Sequence, residues 1–549
     1  MKRRKFLRSV LASGLLGYPG VPNARPARER EQPPEFETIV EDLWRVKDLC
    51  NVYILKQGDR AICFDFGGGA WINHLDRIGV QHLDHVFLTH HHADQCRGLD
   101  KAHGRTVVHA PRGEQVFLDP DERRRRLTFS RFERGCPASY SVPERGFKGL
   151  RYDIRGFDSI RWGKRTVRFI HTPGHGSNAC SAVVGHKDKQ IVFCGDAVCE
   201  GGSLYHPFNL EWDHWTGEGA LAAWQGAGRL GDIGMDILCP SRGHVIYDDP
   251  ARQVRRLSRR LMDFYNIKNS ISPGENDRYT EPQEVMQNRA VKISDHLYQY
   301  GNFYLLLSGR NEALVVDPHL PQIDVLEALW RELGEPAITA AVTTHYHFDH
   351  SDGLQYLREK HGTRIYCHPV VAEPLKRVRD AYLPWLPSEP VAADRLWPNQ
   401  GIWTWNEYSF AVAHAPGQTW WHCMFMATVD NIKVCFSGDS FQPNSKWNGT
   451  GGFCAYNGSR LLNGFAPTCR RILSWTPDIM AAGHASCFAY SRSKFEKIIK
   501  WAARAHKATE ELCPGGDIEK HYYAMGTDPG NGGSPAVDRL KGERFGWII

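Results

Sequence analysis

The alternation of apolar and polar positions occurs twice along this chain. Residues 42–69 predict an apolar strand, a glycine-centred turn and a second apolar strand that ends at Asp65. Residues 295–319 predict the same hairpin, and its second strand ends at Asp317. Further along, each half has an apolar strand that stops at a histidine-rich loop, HVFLTHHHADQ in the first half and AAVTTHYHFDH in the second.

The correspondence continues through three later segments. VRFIHTPGHGSN matches FAVAHAPGQTWW, IVFCGDA matches KVCFSGDS, and MDILCPSRGHV matches PDIMAAGHAS. The matched positions are 255 residues apart for His90 and His345, 243 for Asp196 and Asp439, and 240 for His244 and His484. Ordered matches at nearly one spacing predict a duplicated domain.

Each half alternates strands with helix-like segments, for example at 250–266 and 322–334, which predicts layered α/β domains. With 549 residues the chain is too long for a single hydrophobic core. A polar stretch with Pro and Gly between about 270 and 290 predicts the boundary. We therefore predict a first domain at 38–270, a second at 286–510 and a C-terminal tail at 511–549 of unassigned role.

Positive charge is concentrated at the amino terminus. The formal net charge is +6, but residues 1–30 hold eight basic residues and one acidic residue, so the rest of the chain is near neutral. A near-neutral body argues against nucleic-acid binding. Arg3-Arg4-Lys5-Phe6-Leu7 precedes a short, weakly apolar stretch and resembles a twin-arginine export signal, which predicts a periplasmic or extracellular protein. An uncleaved basic tail is the alternative.

No uninterrupted apolar run approaches the roughly 20 residues that span a bilayer, so we expect no integral membrane segment in the mature chain. The 15 cysteines are scattered and form no C-x-x-C pair. Several lie in apolar strands, where buried thiols are the simplest interpretation. The sequence leaves one or two disulfides open in an oxidising compartment.

A His or Asp follows the end of each of four apolar strands in both halves. Strand ends on one rim of a sheet converge in space, and convergent imidazoles and carboxylates are the ligands of zinc or a similar metal. The predicted ligands of the first half are His90, His92, Asp94, His175, Asp196 and His244. Those of the second half are His345, His347, Asp349, His350, Asp439 and His484. Asp196 and Asp439 are each placed to bridge two metal ions.

This order of residues resembles the H-x-H-x-D-H…H…D…H pattern of the metallo-β-lactamase superfamily, over roughly residues 40–265 and 290–500. The resemblance implies two tandem αββα sandwiches with metal ions at one edge, and hydrolysis of an ester, lactone, thioester, phosphoester or sulfate ester. It also implies Zn²⁺, one or two ions per domain, with iron or manganese as alternatives. Asp196 and Asp439 look more like the glyoxalase II and lactonase branches.

Each half departs from that pattern at one ligand. Gln95 stands where the motif has its last His, which weakens the second metal centre of the first half. Gln418 replaces the His of the second half's PGH turn, which weakens the first metal centre there. His422 lies four residues further on, and a packing role for it is favoured over ligation. His171 and His414 begin these turns and are expected to support them.

We therefore expect a metal-dependent hydrolase in which metal-bound hydroxide attacks a small-molecule substrate. Asp94 and Asp349 are also candidate catalytic residues, as proton acceptors where their metal centre is empty. One alternative is a sulfur-oxidising dioxygenase with a single iron held by two His and one Asp. Another is that one domain is catalytic and the other a non-catalytic scaffold. The substrate and the oligomeric state are not encoded in a readable motif.

Overall fold

The computed structural model describes residues 33–102, 104–122, 143, 146–205, 219–268, 270, 277, 279, 284–378, 385–444, 450, 459–484 and 487–514. The predicted export signal and most of the C-terminal tail lie outside these ranges. Within them, every helix is too short or too polar to cross a membrane. Every cysteine in the same ranges is buried and none is disulfide-bonded, in agreement with the expectation of buried thiols.

The first half forms two sheets over its described residues. One contains β1 (Phe36–Val40), β2 (Leu43–Lys47), β3 (Asn51–Gln57), β4 (Arg60–Phe64), β5 (His82–Phe87), β6 (Val107–Pro111) and β7 (Arg151–Ile154), in that order. The other has the order β12-β11-β10-β9-β8, from β8 (Ser159–Trp162), β9 (Arg165–His171), β10 (Cys180–His186), β11 (Lys189–Gly195) and β12 (Ile237–Pro240). The helices are α1 (Ala93–Cys96), α2 (Gln115–Leu118), α3 (Gly219–Gly231) and α4 (Pro250–Lys268), with 3₁₀ turns at Ile72–Ile78 and Leu99–Lys101.

The second half repeats this plan. Its first sheet runs from β13 (Glu284–Val285) through β14 (Val291–Lys292), β15 (Leu297–Tyr300), β16 (Phe303–Ser308), β17 (Glu312–Val316), β18 (Ala337–Val342) and β19 (Arg364–Cys367) to β20 (Arg395–Leu396). Its second sheet contains β21 (Gln400–Trp405), β22 (Tyr408–His414), β23 (Cys423–Val429), β24 (Ile432–Gly438), β25 (Ile479–Ala482) and β26 (Phe488–Ala489). The helices are α5 (Ile323–Glu332), α6 (Phe348–Ser351), α7 (Gly353–His361), α8 (Pro369–Lys376), α9 (Ala466–Trp475) and α10 (Arg492–Leu512), with a 3₁₀ turn at Leu320–Gln322 and a π-helix at Leu461–Phe465.

Apolar side chains fill the space between the two sheets of each half. In the first half the rings of Phe64 and Phe193, from β4 and β11, stack with centroids 3.7 Å apart. In the second half the rings of Tyr304 and Phe436, from β16 and β24, meet edge to face with centroids 5.5 Å apart. Helices cover the outer faces of the sheets, so the predicted pair of tandem αββα sandwiches is confirmed.

The two halves share one of their hydrophobic cores. Helix α4 buries Val254, Leu257 and Leu261 along one stripe, and this stripe lies in the same apolar cluster as Phe495 and Ile498 of α10. Trp501 Nε1 donates a hydrogen bond across this boundary to the carbonyl of Lys268, at 3.1 Å. Helices α4 and α10, which cover outer faces of the two sandwiches, therefore pack against each other inside the molecule.

Candidate metal centres

Aspartates at the ends of β4 and β17 position the first histidine of each half. Asp65 accepts hydrogen bonds from the Thr89 amide at 2.8 Å and the Thr89 hydroxyl at 3.0 Å. Because the hydroxyl proton goes to Asp65, the Thr89 oxygen accepts from His90 Nδ1, 2.9 Å away. This leaves the lone pair of His90 Nε2 directed into the site.

The second half contains the same support. Asp317 accepts from the Thr344 amide at 2.6 Å and from the Thr344 hydroxyl at 2.7 Å, and Thr344 Oγ1 lies 3.1 Å from His345 Nδ1. Sequence pattern alone predicts Asp65 and Asp317 only as strand ends. Their repeated place, one strand before each histidine loop, was the signal that could have identified them as supporting residues.

Three histidines of the first half converge on one point, which we call position one. His92 Nδ1 lies 3.0 Å from His90 Nε2 and 2.7 Å from His175 Nε2. Asp196 Oδ2 lies 3.6 Å from His90 Nε2 and 3.7 Å from His175 Nε2. Burial, helped by the charge of His175, holds the pKa of His90 well below its usual value, so the imidazole is neutral and able to ligate.

This donor set fits a metal ion. The three imidazoles and Asp196 are buried. Asp196 Oδ1 has no hydrogen-bond partner among the described residues, although a buried carboxylate oxygen normally has one. Three nitrogens and one carboxylate around a single point are the composition of a tetrahedral zinc-type site.

A second point lies beside position one, between Asp94 and Asp196, and we call it position two. In the first half it is surrounded by hydrogen-bond donors. The Gln95 amide nitrogen donates to Asp94 Oδ2 at 2.8 Å and to Asp196 Oδ2 at 2.9 Å. Arg242 Nη2 donates to Asp94 Oδ2, and its guanidinium lies 5.2 Å from the centre of the Tyr205 ring. Burial raises the pKa of Asp94, while the charge of Arg242 opposes that rise. The Oδ2 atoms of both carboxylates therefore face hydrogen-bond donors here.

The strand register shows why Arg242, rather than His244, reaches this position. Gly195 pairs with Pro240 in the first half, and Gly438 pairs with Ala482 in the second. The next amides, those of Ser241 and Gly483, donate to the carbonyls of these two glycines at 2.8 and 2.9 Å. The residue after each amide is Arg242 in one half and His484 in the other.

His244 therefore follows the equivalent position by two residues, and its side chain is exposed and outside the histidine cluster. The expectation that His244 is a ligand equivalent to His484 is corrected on this point. The shared Gly-His of RGH and AGH predicts the wrong equivalence. The extra two residues between Asp236 and His244, compared with Asp478 and His484, were the available signal.

In the second half, position two has a complete set of His and Asp side chains. His484 Nε2 lies 2.9 Å from Asp349 Oδ2 and 3.3 Å from Asp439 Oδ2. His350 Nε2 lies 3.3 Å from Asp439 Oδ1, and its Nδ1 lies 3.0 Å from Asp317 Oδ2. Burial opposes charge on His484, but Asp439 and Asp349 outweigh it and raise its pKa to about 9. A pocket that favours positive charge this strongly suits a cation.

Position one of the second half lacks its third imidazole. His345 Nε2 lies 3.0 Å from His347 Nδ1, and the Gln418 amide nitrogen donates to Asp439 Oδ2 at 3.1 Å. His345 belongs to a tight group with His350 and Asp439, whereas His347 lies outside both groups of the second half that could hold an ion. His422 stacks on His345 at 5.0 Å and belongs to neither group, which agrees with a packing role.

Three other histidines lie outside the clusters in supporting places, and for His171 and His414 this agrees with the expectation. His91 points away from the cluster, where it pairs with the buried Glu114 and stacks on Phe117 at 3.9 Å. His171 and His414 hold their turns through contacts of 2.8 Å to the carbonyls of Ser177 and Trp420. No sequence pattern identifies Glu114, because it lies outside the histidine motif along the chain.

Comparison with known proteins agrees with this geometry. The family model described as the Metallo-beta-lactamase superfamily matches residues 45–262 and 298–484. The chain belongs to this superfamily and contains its domain twice, as the sequence predicted.

Two curated relatives are enzymes. The chain is 25% identical over 217 residues to the atrochrysone carboxyl ACP thioesterase of Aspergillus chevalieri, which is 38% of this chain and 56% of that protein. It is 32% identical over 142 residues to the hydroxyacylglutathione hydrolase of Albidiferax ferrireducens, 25% of this chain and 47% of that protein. The chain spans about half the length of the curated relatives it matches.

Among solved structures, a metallo-beta-lactamase of Cronobacter sakazakii with a HARLDQ motif is 17% identical. The match covers 42% of this chain and 94% of that one, with a TM-score of 0.32.

Proposed function

We propose that this chain is a metal-dependent hydrolase that cleaves an ester, lactone, thioester, phosphoester or sulfate ester. The observation that carries the proposal is the convergence of His90, His92 and His175 beside Asp196, all buried, in the segments that follow β5, β9 and β11. When bound, a divalent ion there lowers the pKa of a coordinated water to near neutrality and polarises the substrate oxygen.

The surrounding residues supply the remaining parts of such a reaction. Asp94 Oδ1 has no hydrogen-bond partner in the described part of the chain, so it is available as a proton acceptor at the edge of the cluster. Asp349 is less available, because its Oδ2 contacts His484 and accepts from Asn302 Nδ2 at 3.2 Å. Of the two carboxylates predicted to act as bases, geometry favours Asp94.

The substrate proposal is narrowed by the relatives. One is named a thioesterase and the other a hydrolase of hydroxyacylglutathione. We therefore place acyl thioesters first among the substrates to test, ahead of esters, lactones, phosphoesters and sulfate esters.

Chelation tests the proposal directly. The protein is stripped of metal, reconstituted separately with zinc, iron and manganese, and assayed with each class of substrate, while the native metal is identified by elemental analysis. We expect activity to disappear on chelation and to return with the native metal. Full turnover by the metal-free protein would refute the proposal.

A single-iron sulfur dioxygenase is a second candidate. The observation in its favour is that the first half has one complete cluster of imidazoles, with Gln95 and Arg242 beside it instead of further ligands. Iron in the purified protein together with oxygen uptake on persulfides would support this candidate. A zinc protein without oxygen uptake would exclude it.

Export is a separate proposal. We propose that the twin-arginine-like segment at 1–30 directs the folded protein out of the cytoplasm. Replacement of Arg3 and Arg4 by Lys should retain a fused reporter inside the cell. Unchanged export of that reporter would contradict the proposal.

A further inference from the structure

In each half, a glutamine amide faces the aspartate that lies between the two positions. Gln95 Nε2 donates to Asp196 Oδ2 at 2.9 Å, and Gln418 Nε2 donates to Asp439 Oδ2 at 3.1 Å. A metal ligand must offer a lone pair, whereas these –NH₂ groups present protons. Each glutamine therefore donates a hydrogen bond to its aspartate where the half lacks an imidazole ligand. This is position two in the first half and position one in the second.

The first half adds a fixed cation at its altered position. Arg242 donates to Asp94 Oδ2, and the two side chains are 11% and 0% exposed. Asp94 and Asp196 are both buried, and two buried carboxylates this close need a positive charge. The guanidinium cannot lose its proton at any physiological pH, so it supplies that charge permanently. A divalent ion at the same position would be repelled by it.

The second half has an imidazole at the equivalent place. His484 reaches Asp349 and Asp439 with the same strand register that brings Arg242 to Asp94. An imidazole can give up its proton and ligate, which a guanidinium cannot do. Arg242 and His484 thus occupy equivalent positions, but the guanidinium repels a metal ion, whereas the imidazole can bind one.

We propose that Arg242 takes the place of the second metal ion in the first domain, so that the chain binds two ions at non-matching positions. One ion lies at His90, His92 and His175 of the first domain, and the other lies at Asp349, His350 and His484 of the second. The inference rests on the proposed function, since it assumes that the clusters bind metal.

Counting ions in the intact chain tests the inference independently of turnover. The full-length protein is loaded with zinc, desalted and weighed by native mass spectrometry. We expect two ions in the wild type. We expect one in His175→Ala and one in His484→Ala, because each substitution removes a ligand from a different domain.

Restoring the absent ligands should add ions. Gln95→His combined with Arg242→His should raise the count to three, and Arg242→Lys should leave it at two because the cation remains. Gln418→His is the matched variant of the second domain and should also give three. Thermal melting of each variant confirms that the protein measured is folded.

The outcomes separate the two proposals. A folded wild type that binds no ion refutes the hydrolase proposal and this inference with it. A wild type with four ions, or a folded Gln95→His/Arg242→His variant that stays at two, overturns the inference and leaves the hydrolase proposal intact. A folded Gln418→His variant that still binds two ions overturns the inference for the second domain.

Discussion

The two domains keep the same supporting structure around metal centres that differ. Tyr53 and Tyr304 occupy matching places, and each donates from its hydroxyl at 2.7 Å to the last carbonyl of β12 or β25. The Asp–Thr–His arrangement behind the first ligand is also present in both. By contrast, position two contains a guanidinium in one domain and an imidazole in the other. The two domains share the groups that orient the ligands and differ at three ligand positions, which are Gln95/His350, His175/Gln418 and Arg242/His484.

The largest difference should come from the matched substitutions His92→Ala and His347→Ala. His92 belongs to a complete cluster, whereas His347 lies outside the groups that could hold an ion. We expect His92→Ala to lose one ion and about 10³-fold in kcat/KM, because a catalytic ion contributes several kcal/mol. His347→Ala should keep both ions and lose less than about tenfold. Equal losses of metal in the two variants would contradict the proposed difference between the two domains.

The next largest effect should be on stability. In metal-free protein, Arg242→Ala leaves Asp94 buried without its partner and should lower the free energy of unfolding of the first domain by about 3–5 kcal/mol. His484→Ala should cost less, because the side chains of His484 and Asp349 are 30% and 18% exposed. Chemical denaturation followed domain by domain measures both. A smaller loss for Arg242→Ala than for His484→Ala would contradict the role given to the guanidinium.

A smaller difference should distinguish the two supporting aspartates. Asp65 supports one ligand through Thr89, whereas Asp317 supports His345 through Thr344 and also contacts His350 Nδ1 at 3.0 Å. Loss of such support typically lowers metal affinity by about 10- to 100-fold. We expect Asp317→Asn to weaken zinc binding more than Asp65→Asn does, as measured by competition with a chelator. The reverse order would show that His350 does not depend on Asp317.

The smallest expected effect concerns acid stability of the second domain. Burial opposes ionisation of Glu327, but hydrogen bonds from His361 and Lys360 outweigh it and hold its pKa below its ordinary value of about 4.5. The stability that this carboxylate contributes is therefore present above that value and is lost as the pH falls through the lower folded pKa. Glu327→Gln should flatten this part of the pH dependence of second-domain melting. The pH dependence of first-domain melting should not change.

Strand periodicity predicted layered α/β domains, and the order of motifs implied the sandwiches through its resemblance to the superfamily, because both signals depend on local pattern alone. The sequence predicted His90, His92 and His175 for the same reason, since each directly follows a strand or lies in a turn. It failed at His244, because the equivalence of Arg242 and His484 is set by hydrogen bonds between β11 and β12 that no letter match records. The contact of Arg242 with Asp94 joins residues 148 positions apart and requires the folded chain.

The apolar boundary between α4 and α10 has a consequence for how this protein can evolve. Deleting either copy of the domain would turn an interior surface outward and expose the neighbouring helix to water. Each domain would then be retained because its helix covers apolar surface of the other domain, whatever chemistry its own pocket performs. Selection for the activity of one domain therefore leaves the metal site of the other free to change, provided that the packed faces of α4 and α10 remain apolar.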